Sequence, residues 1–207
     1  MKVSYYEVKQ LPVIIIDDYY DKSACDKIWQ ELCFLNNDDG KFKGPAETGS
    51  ATTTVDGKQI LLKDNRAIGL DIVYLDRSMS SILKENRKVF SKEMLELLES
   101  HHTFFRYVHH ANKDSTLVNY YENAHYYKSH MDDSTVTSLS FFYQQPRSFA
   151  GGELIIENEL KIDCIYNRFV IFPSMLKHSV EEISMQDSLI GKNYGRYSIT
   201  QLMSINI

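Results

Sequence analysis

The segment Tyr121-Glu-Asn-Ala-His-Tyr-Tyr127-Lys-Ser-His130-Met-Asp132 carries the most informative pattern in this chain. Residues two positions apart lie on the same face of a β-strand, so His130 and Asp132 can point into one cavity. An imidazole and a carboxylate are two of the three protein ligands in the facial triad that binds iron(II) and leaves coordination positions open. The segment therefore predicts a strand with part of a metal site on one face.

The third ligand of such a triad has to come from a distant part of the chain. His178 is the candidate, because it follows Arg168-Phe-Val-Ile-Phe-Pro173, which predicts a strand and a proline turn before the next strand. A histidine and an aspartate at this spacing are weak evidence by themselves. The ordered motifs around them strengthen the prediction: Gly151-Gly152-Glu153-Leu154, Phe172-Pro173 and Gly195-Arg-Tyr-Ser-Ile-Thr200.

Hydrophobic periodicity divides the chain into a helical first half and a strand-rich second half. Leu11–Tyr19 predicts a strand, and residues Ser23–Leu35, with Ser23 as N-cap, and Ser80–Glu99 predict amphipathic helices. Short apolar runs then predict strands at Thr103–Val108, Leu117–Tyr121, Val136–Tyr143, Glu153–Ile156, Arg168–Phe172 and Ser198–Ile205. Helices followed by many short strands predict an α+β protein whose strands form a sandwich or barrel.

Residues 36–64 differ in composition from the sequence on either side. They are rich in glycine, threonine and other polar residues, which predicts a long mobile loop with a short hairpin at Asp56-Gly57. A loop of this length inside a domain is unusual unless it is functional or disordered. The sequence leaves a lid over an active site and plain disorder as equal alternatives.

Length and charge restrict the classes of protein to consider. The chain has 207 residues, which favours one domain, and its net charge of −5 argues against the basic face of a nucleic-acid binder. Neither a bilayer-spanning apolar stretch nor a signal peptide is visible in the sequence, so a cytoplasmic location without membrane contact is the default prediction. The oligomeric state cannot be read from these features.

The segment from about Val118 to Ile205 resembles the double-stranded β-helix (jelly-roll) core of 2-oxoglutarate/Fe(II)-dependent oxygenases, and within them the prolyl 4-hydroxylase-like branch. That branch has tyrosines nine and three residues before the first iron-binding histidine, which are Tyr121 and Tyr127 here. Ala124 stands where glycine is usual. The resemblance implies one domain over residues 1–207, in which helices and the mobile loop of about 1–115 support a catalytic core of mostly antiparallel strands at about 116–207.

The resemblance also implies roles for individual residues. His130, Asp132 and His178 are the implied iron ligands and catalytic residues, and Arg196 matches the basic residue that pairs with the distal carboxylate of 2-oxoglutarate. A guanidinium fork suits that carboxylate. Further implied members of the cosubstrate pocket are Thr200, Ser198, Tyr121 and Tyr127. The segment Ser184–Asn193 looks inserted, which makes Lys192 a rival partner for the carboxylate and Lys177 a weaker one.

The implied reaction consumes O₂ and 2-oxoglutarate, hydroxylates a substrate C–H bond, and releases succinate and CO₂, with ascorbate as a candidate reductant. Related halogenases carry a small residue at the position of Asp132, so the carboxylate favours hydroxylation. The favoured substrate is a prolyl residue in a protein or peptide, and the alternative is a free amino acid or other small molecule. Asn65 and Arg66 are predicted to lie on the substrate side.

Two other functions compete with this one. A nucleic-acid dealkylase of the same superfamily typically has a second arginine six residues after the first, and that position is Leu202 here. A barrel that has lost its metal and acts as a binding module would not need three intact ligands and an intact Arg196. Both functions are therefore less favoured than the hydroxylase.

Overall fold

The structure is a computed structural model that describes residues 1–37, 41–49 and 51–206. The α-helices in these ranges are α1 Lys22–Asn37, α2 Leu70–Val73, α3 Ser81–Asn86, α4 Lys92–His101 and α5 Arg106–His110. The strands of the first half are β1 Lys2–Val8, β2 Leu11–Asp17, β3 Thr52–Val55, β4 Lys58–Leu61, β5 Lys63–Asp64 and β6 Arg66–Gly69. Those of the second half are β7 Lys113–Tyr121, β8 Tyr126–His130, β9 Val136–Phe142, β10 Phe149–Ala150, β11 Leu154–Ile156, β12 Leu160–Ile162, β13 Phe169–Pro173, β14 His178–Val180, β15 Ser184–Met185 and β16 Arg196–Ser204.

Two antiparallel sheets form the centre of the molecule. The larger has the strand order β1-β2-β13-β9-β16-β7-β6, and the smaller has the order β12-β11-β14-β8-β5. In the second half, β7, β9, β13 and β16 belong to the larger sheet and β8, β11, β12 and β14 to the smaller. The chain crosses repeatedly between the two sheets, as in a double-stranded β-helix. Apolar side chains from both sheets meet in one buried cluster that includes Leu139, Phe141 and Phe172 from the larger sheet and Leu154 and Ile156 from the smaller. The predicted α+β jelly-roll fold is confirmed.

The helices cover the outer face of the larger sheet. Ile28, Leu32 and Leu35 recur at helical spacing in α1 and are fully buried, as expected for the apolar stripe of an amphipathic helix. They share a second core cluster with Tyr197 and Ile199, which lie on β16. Because β16 also carries Arg196, the helical layer fixes the strand on which that residue lies. No helix within the described residues is long and apolar enough to cross a membrane.

Two helix predictions need correction. Asp21, not Ser23, caps α1, since its side chain accepts a hydrogen bond from the amide of Ala24 at 2.9 Å and Ser23 lies inside the helix. The single helix predicted at Ser80–Glu99 is two helices, α3 and α4, joined by a 3₁₀ segment. Ser91 causes the break, because its hydroxyl caps a new helix by accepting from Met94 N at 3.3 Å.

The strand predicted at Thr103–Val108 is wrong. These residues form a 3₁₀ turn and the start of α5. The turn begins at His102, whose ring Nδ1 accepts a hydrogen bond from Phe104 N at 3.0 Å. Phe105 and Val108, three positions apart, are both fully buried. The aromatic run therefore packs at helical spacing, which shows how far tertiary context can override strand propensity.

The segment predicted as a long loop contains three short strands, β3, β4 and β5. The hairpin at Asp56-Gly57 is confirmed, with β3 and β4 paired and both turn residues at positive φ, as a two-residue hairpin turn requires. The stretch continues into β5, which joins the smaller sheet beside β8. Asp38, Asp39, Gly40 and Ser50, which belong to the predicted loop, lie outside the described residues.

Candidate metal and cosubstrate site

His130 and His178 meet where two neighbouring strands of the smaller sheet lie side by side. His130 is the last residue of β8 and His178 the first of β14, and the two are direct partners in the antiparallel ladder. The sequence predicts that strand alternation places Asp132 beside His130. In the structure Asp132 lies two residues beyond the end of β8, so another contact must position it. Its amide instead donates to the carbonyl of Ser174 at 3.2 Å, which folds the segment back over the two histidines.

The three side chains converge on one point. Asp132 Oδ1 lies 3.7 Å from His130 Nε2, and Asp132 Oδ2 lies 3.5 Å from His178 Nε2. One ligand atom from each residue lies within 4.8 Å of the others. Two imidazoles and one carboxylate are the donor set of a facial iron(II) site, and both histidines are buried. The residues present therefore fit iron(II).

Both imidazoles present the nitrogen that a metal would need. His130 Nδ1 lies 2.9 Å from the carbonyl of Lys128, and His178 Nδ1 lies 3.0 Å from the carbonyl of Leu176. A carbonyl only accepts, so each Nδ1 carries a proton and donates it, and each Nε2 is the ring nitrogen that faces Asp132. Burial, and then the neighbouring His178, lower the pKa of His130 to about 4. His130 is therefore neutral at physiological pH, as metal binding requires.

A chain of hydroxyl groups orients the carboxylate of Asp132. Thr137 Oγ1 donates to Asp132 Oδ2 at 2.7 Å. Since a hydroxyl has one proton, the 2.8 Å contact between Ser174 Oγ and Thr137 Oγ1 must have Ser174 as the donor. Ser134 Oγ, 2.6 Å from Ser174 Oγ, then donates in turn. All three protons point toward Asp132, and nothing in the sequence motif indicated these residues.

We expect Thr137→Val to weaken metal binding without unfolding the protein. Valine keeps the shape of this fully buried side chain but removes the hydrogen bond to Asp132. Loss of a bond that orients a metal ligand typically lowers affinity by about 10–100-fold. Titration with Mn(II), followed by electron paramagnetic resonance, measures the change. Ser134→Ala is the matched control, because Ser134 contacts the chain of hydroxyls but not Asp132; equal affinities for all three proteins would contradict this role for Thr137.

Aromatic rings enclose the two histidines. The ring of Tyr127 stacks on that of His130, with centroids 3.5 Å apart and planes 10° from parallel. Phe172 meets His178 edge-on at 5.0 Å. The Tyr127 hydroxyl also accepts a hydrogen bond from Ala51 N at 3.3 Å, which ties the segment before the hairpin to the site. These contacts hold both imidazoles in fixed orientations.

Arg196 lies fully buried in the same cavity of about 510 Å³ as the three candidate ligands. Its guanidinium carbon lies 4.9 Å from the ring centre of Tyr121 and 4.8 Å from that of Phe141. Within the described residues, its three side-chain nitrogens have no hydrogen-bond partner. A buried guanidinium is costly without an acceptor, so this position in the cavity suits an anionic group. The distal carboxylate of 2-oxoglutarate fits this requirement.

The other residues predicted for the cosubstrate occupy the same cavity wall. Ser198 and Thr200 follow Arg196 at alternate positions of β16, and all three line the cavity with Tyr121. The rival cations lie elsewhere: Lys192 and Lys177 are both exposed, and neither is among the described residues that line this cavity. This arrangement favours Arg196 as the carboxylate partner.

Gly152 leaves the space that the Arg196 side chain occupies. A Cβ at Gly152 would lie 2.8 Å from Arg196 Cδ and 2.5 Å from Ile183 Cδ1. We expect Gly152→Ala to lower the free energy of unfolding by roughly 1–3 kcal/mol more than Gly191→Ala does. Both glycines have positive φ, +79° and +74°, but a Cβ at Gly191 would meet nothing within 4 Å. Urea denaturation of both variants measures the difference, and equal losses would show that packing against Arg196 is loose.

The two residues predicted for the substrate side bond to neighbouring polar side chains. Asn65 is buried and donates to Asn119 Oδ1 at 3.1 Å, while Arg66 forms an ion pair with Glu122 at 3.3 Å. Neither is among the described residues that line the cavity. Lys63, two residues before Asn65 on the chain, does line it and was missed, because a single lysine in a polar segment has no distinguishing pattern.

Residues 116–203 match the family model described as the 2OG-Fe(II) oxygenase superfamily. The strand core of this chain is therefore similar to that of the 2OG-Fe(II) oxygenases. The matched residues include the three candidate ligands and Arg196, and they begin near the start of β7 and end with β16. No curated protein sequence matches the chain.

Solved structures share this fold at low sequence identity. A Pseudomonas putida prolyl-4-hydroxylase is similar over 94% of this chain and 93% of its own, with 12% identity and a TM-score of 0.58. A viral collagen prolyl hydroxylase from Paramecium bursaria Chlorella virus-1 is similar over 93% and 96%, with 13% identity and a TM-score of 0.51. OsALKBH1 is similar over 97% and 99%, with 15% identity and a TM-score of 0.52. In each case the similarity covers both the strand core and the helices that precede it in the sequence.

Proposed function

We propose that this protein is a 2-oxoglutarate- and O₂-dependent iron(II) dioxygenase that hydroxylates a C–H bond and releases succinate and CO₂. One observation carries the proposal: a single cavity contains the donor set of His130, Asp132 and His178 together with the buried guanidinium of Arg196, which has no hydrogen-bond partner among the described residues. A structural ion-binding site would not require that guanidinium. A 2-oxoglutarate site requires a cation of this kind.

One group of residues in the cavity would bind the metal, and another would bind the cosubstrate. His130, Asp132 and His178 would hold the iron, with the hydroxyl of Thr137 keeping Asp132 in place. Arg196 would take the distal carboxylate, and the ring of Tyr121 would keep water away from that ion pair. Bound iron(II) supplies the activation of O₂ that couples decarboxylation of 2-oxoglutarate to oxidation of the substrate. The carboxylate of Asp132 fills the position that a halide would need, which supports hydroxylation.

For the substrate, we propose a prolyl residue in a protein or peptide. The names of two structural neighbours support this choice, and so does the mouth of the cavity, where Ile72 and Met131 are 85% and 56% exposed. Exposed apolar side chains beside a cavity suit a partner with apolar surface. A free amino acid or another small molecule is the alternative, and ascorbate as reductant stays a prediction.

A nucleic-acid dealkylase is the less favoured reading, although OsALKBH1 shares the fold. Leu202, which occupies the position of the second arginine in such enzymes, lies on the cavity wall. An apolar side chain there offers no charge for a phosphate or a second carboxylate contact. The net charge of −5 also disfavours association with a polyanion.

An anaerobic titration of the metal-free protein with Fe(II) and then 2-oxoglutarate tests the proposed function. We expect a saturable visible charge-transfer band, followed by slow succinate release when O₂ is admitted. Asp132→Ala should give neither signal. A folded wild-type protein that gives neither the band nor succinate would contradict the proposal. The alternative would then be a metal-free barrel that binds a partner and catalyses no reaction.

A further inference from the structure

Lys63 is a second cation in the catalytic cavity. It lies on β5 at the edge of the smaller sheet, where its backbone pairs with Tyr127 of β8. Its side chain lines the cavity, and its ammonium nitrogen lies 5.5 Å from the ring centre of Tyr127, the ring that stacks on His130. Only 3% of the residue is exposed. The cation is thus enclosed on the histidine side of the cavity.

No described residue supplies a counter-ion to the ammonium group of Lys63. Within the described residues it makes no hydrogen bond or ion pair of its own, apart from its contact with the ring of Tyr127. Burial lowers the pKa of Lys63 to about 8, so the group is still mostly protonated at neutral pH. A buried lysine is normally retained only with a partner, because desolvating an ammonium group is costly.

Each acidic side chain among the described residues that line the cavity is either paired already, part of the metal site or exposed. Asp132 belongs to the metal site. Asp71 accepts from Thr116 N at 2.7 Å and pairs with Arg77 at 2.8 Å. Asp133 is exposed. In the part of the chain that the structure describes, the cavity therefore holds two buried cations, Lys63 and Arg196, and the distal carboxylate of 2-oxoglutarate can neutralise only one of them.

We propose that Lys63 binds a carboxylate group of the substrate that this enzyme oxidises. The inference rests on the proposed function and narrows its substrate class to carboxylate-bearing molecules: a free amino or organic acid, or a peptide with an acidic group near the oxidised carbon. Lys63 lies outside residues 116–203, the part that matches the superfamily. Cosubstrate binding belongs to that shared core, whereas substrate specificity is set by the elements added around it.

Acetate, with acetamide as its neutral match, is the probe for this site. The protein is loaded with Mn(II) and saturating 2-oxoglutarate, so that Arg196 is occupied, and thermal unfolding is followed as each probe is added. We expect acetate to stabilise the wild type more than acetamide does. In Lys63→Met, which keeps the length of the side chain and removes its charge, apparent acetate affinity should fall by about tenfold. Lys63→Arg should retain most of the response.

Arg196→Met is the crossed control. It should lose affinity for 2-oxoglutarate and keep its response to acetate, whereas Lys63→Met should keep its 2-oxoglutarate affinity within about twofold, since the two cations serve different carboxylates. Equal acetate responses in wild type and Lys63→Met would overturn the inference. A loss of 2-oxoglutarate affinity in Lys63→Met as large as in Arg196→Met would also overturn it, because the carboxylate would then be that of the cosubstrate.

Failure of the proposed function would look different. If the wild type bound neither Mn(II) nor 2-oxoglutarate, the dioxygenase proposal would fall on that result alone. The comparison of acetate between wild type and Lys63→Met would still be readable in the metal-free protein, because it depends only on the buried ammonium group. The two failures are therefore separable in one set of titrations.

Discussion

Replacement of Asp132 by alanine is expected to reduce succinate formation by about a thousandfold or more, because a catalytic metal contributes several kcal/mol to the reaction. Asp132 is the one carboxylate among the three candidate ligands, and its two oxygens lie 3.5 Å and 3.7 Å from the histidine Nε2 atoms. Alanine would leave two neutral imidazoles facing a divalent cation. Loss of charge neutralisation, and not loss of folding, should cause the defect.

The neighbouring acid Asp133 provides a matched control for this experiment. It has the same charge, adjoins Asp132 in sequence and is exposed, so Asp133→Ala should keep Mn(II) affinity and turnover near those of the wild type. Metal affinity by electron paramagnetic resonance and succinate release should fall together in Asp132→Ala. If Asp132→Ala retained its metal and its activity while Asp133→Ala lost both, the acid in the site would have been misidentified.

The strand core was predictable because its signals are local. Alternating apolar runs with turn residues between them locate β9, β11, β13 and β16, and the proline turn before His178 indicates where β14 begins. Edge strand β1 carried a weaker signal, since most of its residues are not buried and the apolar alternation is incomplete. The sequence predicts the presence of the helices. The positions at which one helix ends and the next begins depend on single capping side chains such as Ser91.

The candidate site was only partly visible in the sequence. His130 and Asp132 form a local motif, and His178 and Arg196 follow in a recognisable order. Thr137 acts on Asp132 across five residues through a turn, and Ser174 comes from another strand connection. Lys63 enters the cavity because β5 pairs with β8, a long-range contact that composition and periodicity do not encode. Residues that support or extend a site are therefore the ones that need the structure.

Arg196→Met is the second substitution with a large expected effect, and it acts on the cosubstrate. Methionine fills much of the same buried space but cannot donate a hydrogen bond. A bidentate, charge-assisted pair with a carboxylate contributes enough that affinity for 2-oxoglutarate should fall by about a hundredfold. The KM for 2-oxoglutarate should rise accordingly. Mn(II) affinity in the absence of 2-oxoglutarate should stay at the wild-type value, because Arg196 is not a ligand.

The same variant should be more stable than the wild type when no cosubstrate is present. The guanidinium of Arg196 is buried and has no acceptor among the residues that the structure describes. Replacing an uncompensated buried charge with an apolar side chain removes its desolvation cost. Calorimetric titration with 2-oxoglutarate and thermal unfolding of the metal-free protein measure the two effects. Lys192→Met, on an exposed residue, should change neither. If Lys192→Met lost 2-oxoglutarate affinity and Arg196→Met kept it, the carboxylate would pair with Lys192, and the role assigned to β16 would be wrong.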